Sequence, residues 1–281
     1  MDFESYLNKI EICDGGREVF GCLNAKVDSV AIKSAYDAYD AGDDAFAAFL
    51  ERFAKEQNVT AEEANLFWYL HLSSRTYRLY QEKNIDDSVF YATMKAFAGA
   101  CVRCYEKFGV YGIQQRVYRA WYRRQLGGIL FRIGRLEFEI VCSNYDVTLG
   151  GFSLAKGDTC ISVHIPRGEA LDPCESEAAY ALARDFFKEK FQISPCIFYC
   201  GSWLLHPWIS EDFTESSRIV QFQKQYTLVD VIQDEVIVRD WLFDNSDAPY
   251  EALPVRTSMH KAAQRRLING LPIGQAKGYR L

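Results

Sequence analysis

The chain has 281 residues and a net charge of −6, a balance that argues against a nucleic-acid partner, since such binders show a strongly basic face or domain. Its 49% hydrophobic and 25% charged content excludes a disordered or collagen-like chain and leaves room for two cores. No apolar stretch approaches the ~20 residues that span a bilayer, and the acidic start at Met1 to Tyr6 has no signal-peptide pattern, so a cytoplasmic chain with no membrane partner is expected.

Apolar spacing predicts helix after helix through the first ~125 residues. Ser29 to Ala41 carries Val30, Ala31, Ala35 and Ala38, and Asp43 to Gln57 carries Phe46, Phe49, Leu50 and Phe53. Thr60 and Glu63 form a capping-box pattern, the hydroxyl placed to take the Glu63 amide and the carboxylate to reach back. The helix they open is predicted to run to about Lys83. Asp86 or Asp87 caps another, which ends near Gly109. A last helix covers about Ile113 to Leu126 and stops at Gly127-Gly128.

Two features of this half could carry chemistry. Cys101 and Cys104 form a CxxC on a helix. With no second CxxC and no nearby His pair, they read as helical core, and no metal is expected. Nine cysteines, an odd number, in a chain without an export signal read as reduced thiols. Arg116, Arg119 and Arg123 share one helical face, with Arg124 beside them and Tyr118, Trp121 and Tyr122 interleaved. Such a stripe either clamps phosphates or is a solvated face paired with acids.

From Gly128 the period becomes two. Leu136, Phe138, Ile140 and Cys142 alternate with Arg135, Glu137, Glu139 and Val141, which predicts a strand buried on one face. Asn144 to Asp158 reads as turns through Gly150-Gly151 and Gly157-Asp158. Thr159 to Ile165 is a second strand. Asp172 as N-cap, Pro173 at the first helical position and Glu175 open a helix whose inner stripe is Ala179, Leu182, Ala183 and Phe186. A third strand covers about Cys196 to Leu205. Ile219 to Val229 and Glu235 to Phe243 are predicted as a closing antiparallel pair. Ser258 to Ile268 is a terminal helix. This order predicts an α+β or mixed α/β fold: an all-helical domain over residues 1–126, then a mixed, mostly antiparallel sheet domain over residues 127–281.

The second half resembles a known bacterial family. The resemblance is carried by Phe131 to Phe138, by Ser162 to Pro166 with Gly168 and Leu171, and by Cys200 to Leu205 with Pro207. Ser217 to Phe222 and Leu253 to Thr257 add to it. That family pairs a helical N-acyltransferase N-terminal domain with a GNAT-like acyltransferase C-terminal domain. The resemblance implies acyl transfer from acyl-CoA or acetyl-CoA, as co-substrate, to a small-molecule acceptor, an amine by expectation, in a monomer or homodimer. It also implies that Thr159 to Ile165 and Cys196 to Leu205 splay apart to admit the acyl-pantetheine arm. The loop Arg167-Gly168-Glu169-Ala170, with Ile165 before it, would then hold the pyrophosphate. Here the sequence departs from the usual Arg/Gln-x-x-Gly-x-Gly/Ala pattern, having one Gly and one Arg. Asp172 and Glu175 at the following helix start would repel phosphate. The alternative is a non-catalytic binding module that keeps the fold.

By alternation Cys160, Ser162 and His164 share one strand face, and Cys196, Phe198, Cys200 and Ser202 share another. If both faces line the splay, His164 lies near Ser202 and Cys200. His164 is then a candidate general base on the acceptor, imidazole titrating near neutrality, or a strand-end His bonded to backbone. Cys200 is a nucleophile or a buried thiol, with the thiol favoured. Tyr199 and Tyr226 are candidates to protonate the leaving thiolate, and Glu169 is a second candidate base. The site expected is His164, Ser202 and Tyr199 for chemistry, with Ile165, Arg167, Gly168, Arg123 and Arg124 for the cofactor. His206-Pro207-Trp208 reads as a turn with packed Trp203 and Trp208.

Overall fold

The structure, a computed structural model, describes residues 2–243 and 248–281, and only the backbone of 115–119. The Arg116 and Arg119 side chains therefore lie outside the described residues. The chain divides into two compact units, Met1–Ile133 and Gly134–Leu281.

The first unit has eight helices among its described residues: α1 Phe3–Lys9, α2 Asp14–Asn24, α3 Ser29–Ala41, α4 Asp43–Gln57, α5 Ala61–Glu82, α6 Asp87–Met94, α7 Ala96–Phe108 and α8 Gln115–Leu126. The strand β1, Leu130–Ile133, closes the unit. Helix α5 is its axis. The run Ala64 to Ser73 is buried on all sides, the pattern of a helix enclosed by its neighbours. Its start forms as predicted: Glu63 N–H donates to Thr60 Oγ1 at 3.2 Å and Thr60 N–H to Glu63 Oε2 at 2.7 Å. Phe49, Phe53, Phe67 and Trp68 pack ring against ring around it.

One helix predicted between Asp86 and Gly109 is two, α6 and α7, broken at Lys95. Cys101 and Cys104 are buried on the inner face of α7, and burial raises both thiol pKa values. They are core thiols, as the missing partner ligands required. Among the described residues no group of three His, Cys, Asp or Glu side chains could hold a metal ion.

The second unit contains β2 Leu136–Cys142, β3 Val147–Leu149, β4 Phe152–Leu154, β5 Thr159–His164, α9 Pro173–Phe191, β6 Phe198–Ser202, α10 Trp208–Asp212, α11 Arg218–Gln223, β7 Thr227–Gln233, α12 Glu235–Leu242, α13 Ser258–Ile268 and β8 Gly274–Arg280. Its sheet runs β2-β5-β6-β8-β7. Among the described residues of this sheet, only β5 and β6 are parallel, joined through α9. The other pairs are antiparallel, which is the mixed, mostly antiparallel sheet expected. Helix α9 opens as predicted, with Asp172 accepting from the Cys174 amide at 2.9 Å and Pro173 at the first position. Its buried stripe is Ala179, Tyr180, Ala183 and Phe187, and Leu182 is exposed. The stripe is thus turned by one residue from the predicted one.

The predicted closing strand pair is not formed as read. Glu235 to Phe243 is helix α12, whose N-cap Asp234 accepts from the Ile237 amide at 3.2 Å. Its β-branched run Val236 to Val238 mimics a strand. Ile219 to Val229 is α11 followed by the start of β7. The true partner of β7 is β8, which pattern reading passes over because it has little apolar alternation. β8 is built of small residues where strands approach closely. A Cβ on Gly274 would stand 2.1 Å from the Ile232 carbonyl oxygen, and one on Gly278 would stand 3.0 Å from Tyr226 Cβ. The turn-rich segment after β2 also holds a small hairpin, β3–β4.

Candidate functional site

The parallel ladder between β5 and β6 is short. Its register pairs are Ile161 with Phe198 and Ser162 with Tyr199, behind a bond from the Ile161 amide to the Ile197 carbonyl of 2.9 Å. Past Ser162 the two strands no longer pair. β5 stays with β2 as far as His164 opposite Glu137. β6 stays with β8 as far as Ser202 opposite Ala276. A fork therefore opens between Val163-His164 and Cys200-Gly201-Ser202, and the backbone edges that face it carry no ladder bonds to each other.

Register decides which side chains flank the fork. Paired residues of neighbouring strands present their side chains on one face of a sheet. Ser162 lies with Tyr199, so His164 belongs to the face of Tyr199 and Gly201. Cys200 and Ser202 lie on the opposite face. The expected meeting of His164 with Cys200 and Ser202 is thus corrected: alternation was right on each strand, but the two sets face opposite ways. Ser202 instead caps the turn after β6, its Oγ accepting from the Leu204 amide at 3.2 Å. Cys200 is enclosed, and burial pushes its pKa up to about 12. It stays a neutral thiol, which removes its nucleophilic reading. Tyr226 shares that buried face and pairs its hydroxyl with that of Tyr180.

His164 has a partner that periodicity hid. Its Nε2 lies 2.9 Å from Oε2 of Glu139 on β2, a carboxylate only 9% exposed. Arg135, Glu137 and Glu139 were predicted to face water, and all three are buried. A carboxylate on one imidazole nitrogen fixes the tautomer and puts the lone pair on the other nitrogen.

Across the fork, the Tyr199 hydroxyl lies back along β6. It is 2.8 Å from where a Cβ on Gly201 would stand, so a larger residue there would push the hydroxyl aside. Burial, opposed by the charge of Lys277, pushes Tyr199 up to about 12, which keeps it a phenol at neutral pH. Lys277 stands beside Gly201 in the β6–β8 register. Its Nζ donates to Tyr145 at 2.9 Å and to Asp230 at 3.3 Å, and Tyr145 donates to Asp230 at 2.7 Å.

Beyond β5 the chain turns through Gly168, at φ +90°, into α9. Arg135, 5% exposed, donates from Nε to the Ala170 carbonyl at 2.8 Å. Its Nη2 donates to the Glu169 and Pro166 carbonyls at 2.7 and 3.2 Å. Ile165 is half-buried at the entrance to this loop. Arg167 points toward α12, donating to the Trp241 carbonyl at 2.5 Å with its guanidinium over the indole. The Glu169 carboxylate is exposed and 3.8 Å from Arg135 Nε.

The remaining candidates lie in the first unit or in packed turns. Arg123 pairs with Asp43 at 2.7 Å, donates to the Tyr39 carbonyl at 2.6 Å and stacks over the Tyr39 ring. Arg124 lies over Trp121. His206 is buried, its Nδ1 accepting from the Trp208 amide at 3.2 Å, with Trp203 and Trp208 stacked beside it.

The comparisons with known proteins concern the family and the fold. The model of the GNAT-like C-terminal domain matches residues 130–280, and that of the N-acyltransferase N-terminal domain matches residues 1–128. One similar solved structure is an acyltransferase in complex with decanoyl-CoA and teicoplanin. It has 20% identity and a TM-score of 0.76, covering 99% of this chain and 86% of that one. An acyltransferase in complex with CoA and 10C-teicoplanin gives the same values. An acyltransferase in complex with decanoyl-CoA has 20% identity and a TM-score of 0.68, covering 100% of this chain and 99% of that one. No curated protein matches by sequence. A helical unit followed by a mixed sheet with a forked parallel pair is, in architecture, an N-acyltransferase fold with a GNAT-like sheet. The chain belongs to the family defined by the GNAT-like C-terminal domain, with an N-acyltransferase N-terminal domain before it.

Proposed function

We propose that this protein transfers an acyl group from acyl-CoA to a nucleophilic small-molecule acceptor, an amine in the simplest case. The observation that carries the reading is the fork between β5 and β6, with His164 on one flank and the Tyr199 hydroxyl on the other, on one face of the sheet. The unpaired backbone of the two strands offers donors and acceptors to the pantetheine amides. The thioester carbon then lies between base and acid. With its Nε2–H held by Glu139, His164 takes a proton from the acceptor as the new C–N bond forms. The C–S bond breaks, and Tyr199 gives its proton to the departing thiolate. The carboxylate of Glu139 stabilises the imidazolium. The similar acyltransferases crystallised with acyl-CoA, and with teicoplanin as well, support the donor and the small-molecule class of acceptor.

One observation favours a second, non-catalytic reading. Asp172 already occupies the Cys174 and Glu175 amides at the start of α9, where a phosphate would otherwise be drawn. Thermal-shift titration with acetyl-CoA and longer acyl-CoAs separates the two. A ligand at one hundred times its Kd stabilises by about 2.7 kcal/mol. With an acceptor in hand, H164A is expected to lower thiol release by about 10²-fold or more. Absence of a shift with every thioester leaves only the binding-module reading.

A further inference from the structure

Glycine-poor phosphate loops need another way to present their amides, and Arg135 supplies one. We propose that Arg135 is the positioning residue that holds the loop between β5 and α9 open to the phosphates of acyl-CoA. The proposal rests on the acyl-CoA reading above. In a planar trans peptide the carbonyl and the following amide point in opposite directions. By drawing in the carbonyls of Pro166, Glu169 and Ala170, Arg135 turns the amides of Arg167, Ala170 and Leu171 away from itself. Residues 167–170 are exposed while the Leu171 side chain is buried, so the peptide groups of residues 167–170 that turn from Arg135 turn toward the outside of the unit. No described residue accepts from the Ala170 or Leu171 amide. Gly168, at φ +90°, makes the reversal between the two groups of carbonyls without Cβ strain. Successive amides pointing one way form a concave cradle for anionic oxygens. This one follows the strand whose ladder has just parted, at the end where the fork is open.

The arrangement also accounts for the lone glycine. Where two glycines usually let backbone approach a phosphate, a fork of guanidinium donors fixes the peptide planes from behind. Only Arg can do this: its rigid donor array reaches three carbonyls at once, whereas Lys is a point charge on a flexible stem. Arg135 touches no phosphate itself in this account, and acts through the loop.

Two thioesters of the same acyl group test it: acetyl-CoA, and the acetyl thioester of N-acetylcysteamine, which lacks every phosphate. For R135M and R135K, KM for acetyl-CoA is expected to rise about 10- to 100-fold, the loss of one or two hydrogen bonds to charge. The kcat and the kcat/KM for the short thioester are expected to stay within about threefold of wild type, a split that general loss of structure does not produce. An equal fall for both thioesters, or no change for either, overturns the proposal. A measurement on the unaltered protein covers the case in which neither variant folds. Free CoA is expected to slow hydrogen exchange of the Ala170 and Leu171 amides, while pantetheine leaves them unchanged. If CoA binds with no protection there, the assignment to Arg135 falls and the acyl-CoA reading stands. If neither acetyl-CoA nor CoA binds at all, both fall.

Discussion

Tyr199 and Lys277 together set how the proposed acid behaves with pH. Burial lifts the phenol to about 12 and the Lys277 charge opposes that rise; Cys200, Tyr279 and Tyr145 are the other titrating groups around it. Through neutral pH the acid therefore holds its proton, and Y199F is expected to lower kcat by about 10²-fold with little change in KM for the thioester. K277M removes the charge that favours the phenolate, so the Tyr199 pKa rises further and the proton is given up less readily. A reduced kcat at neutral pH, with any alkaline limb of the profile moved to higher pH, is the expected result. Wild-type kcat in Y199F ends the assignment of the acid. At this scale the sequence offered His164 and Tyr199 as candidates on strands beside a predicted splay, and among 17 tyrosines nothing in it singled out Tyr199. Glu139, Arg135 and Lys277 were not among the candidates. A charged residue alternating with apolar ones reads as solvent-facing, and that reading fails on β2 because both faces of its first half are covered.

At the scale of elements, spacing found the helices of the first unit from Ser29 onward but merged α6 with α7, read α12 as a strand, and missed β8, which carries glycine where strands approach closely. β8 earns its place between β6 and β7 through backbone pairing and close approach, neither of which leaves an apolar pattern. Its end at Gly274 is the tightest point, 2.1 Å from the Ile232 carbonyl oxygen for any added Cβ. G274A is expected to cost about 1–3 kcal/mol, read as a lower midpoint in urea without a change of slope, and an unchanged midpoint shows that β7 shifts freely. A second tie joins α10 to α13. Arg266 meets Asp212 through two bonds, Nε to Oδ2 at 2.7 Å and Nη2 to Oδ1 at 2.9 Å, and both side chains are buried. D212A leaves the buried guanidinium with the exposed Glu211 carboxylate, at 2.7 Å, and the Pro272 carbonyl, at 2.9 Å, as its partners, and is expected to cost about 2–3 kcal/mol. D212A combined with R266M is expected to recover part of that loss, as replacing both partners of a buried pair does. Sequence alone could not pair residues so far apart, since nothing in the spacing of α13 singles out Arg266 from Arg265.

Across the whole molecule, each unit buries one neutral histidine, and these set the acid limit of stability. His71 sits in the first unit against Asn24 at 3.0 Å, and burial lowers its pKa to about 4. His206 sits in the second, lowered by burial in the same direction. The unfolded chain takes up a proton near 6.5, while the folded His71 resists it until about 4. Stability is therefore full above 6.5, falls as the pH drops through this window, and levels below it. For His71 alone the loss by pH 5 is up to about 2 kcal/mol. Asp212 carries the opposite kind of shift: Arg266 lowers it from 3.8, so its contribution is kept down to that pH and lost only in stronger acid. His71 thus acts between 6.5 and about 4, His206 acts in the same direction, and the Asp212 pair acts below 3.8. H71Q, which keeps an amide to meet Asn24, is expected to flatten the fall in exchange protection of α5 between pH 6.5 and 5. H206Q is expected to do the same for α10 and α13 and to leave α5 as steep as before. Equal flattening of both regions by either substitution contradicts this division, because it makes the acid response a property of one cooperative core rather than of two.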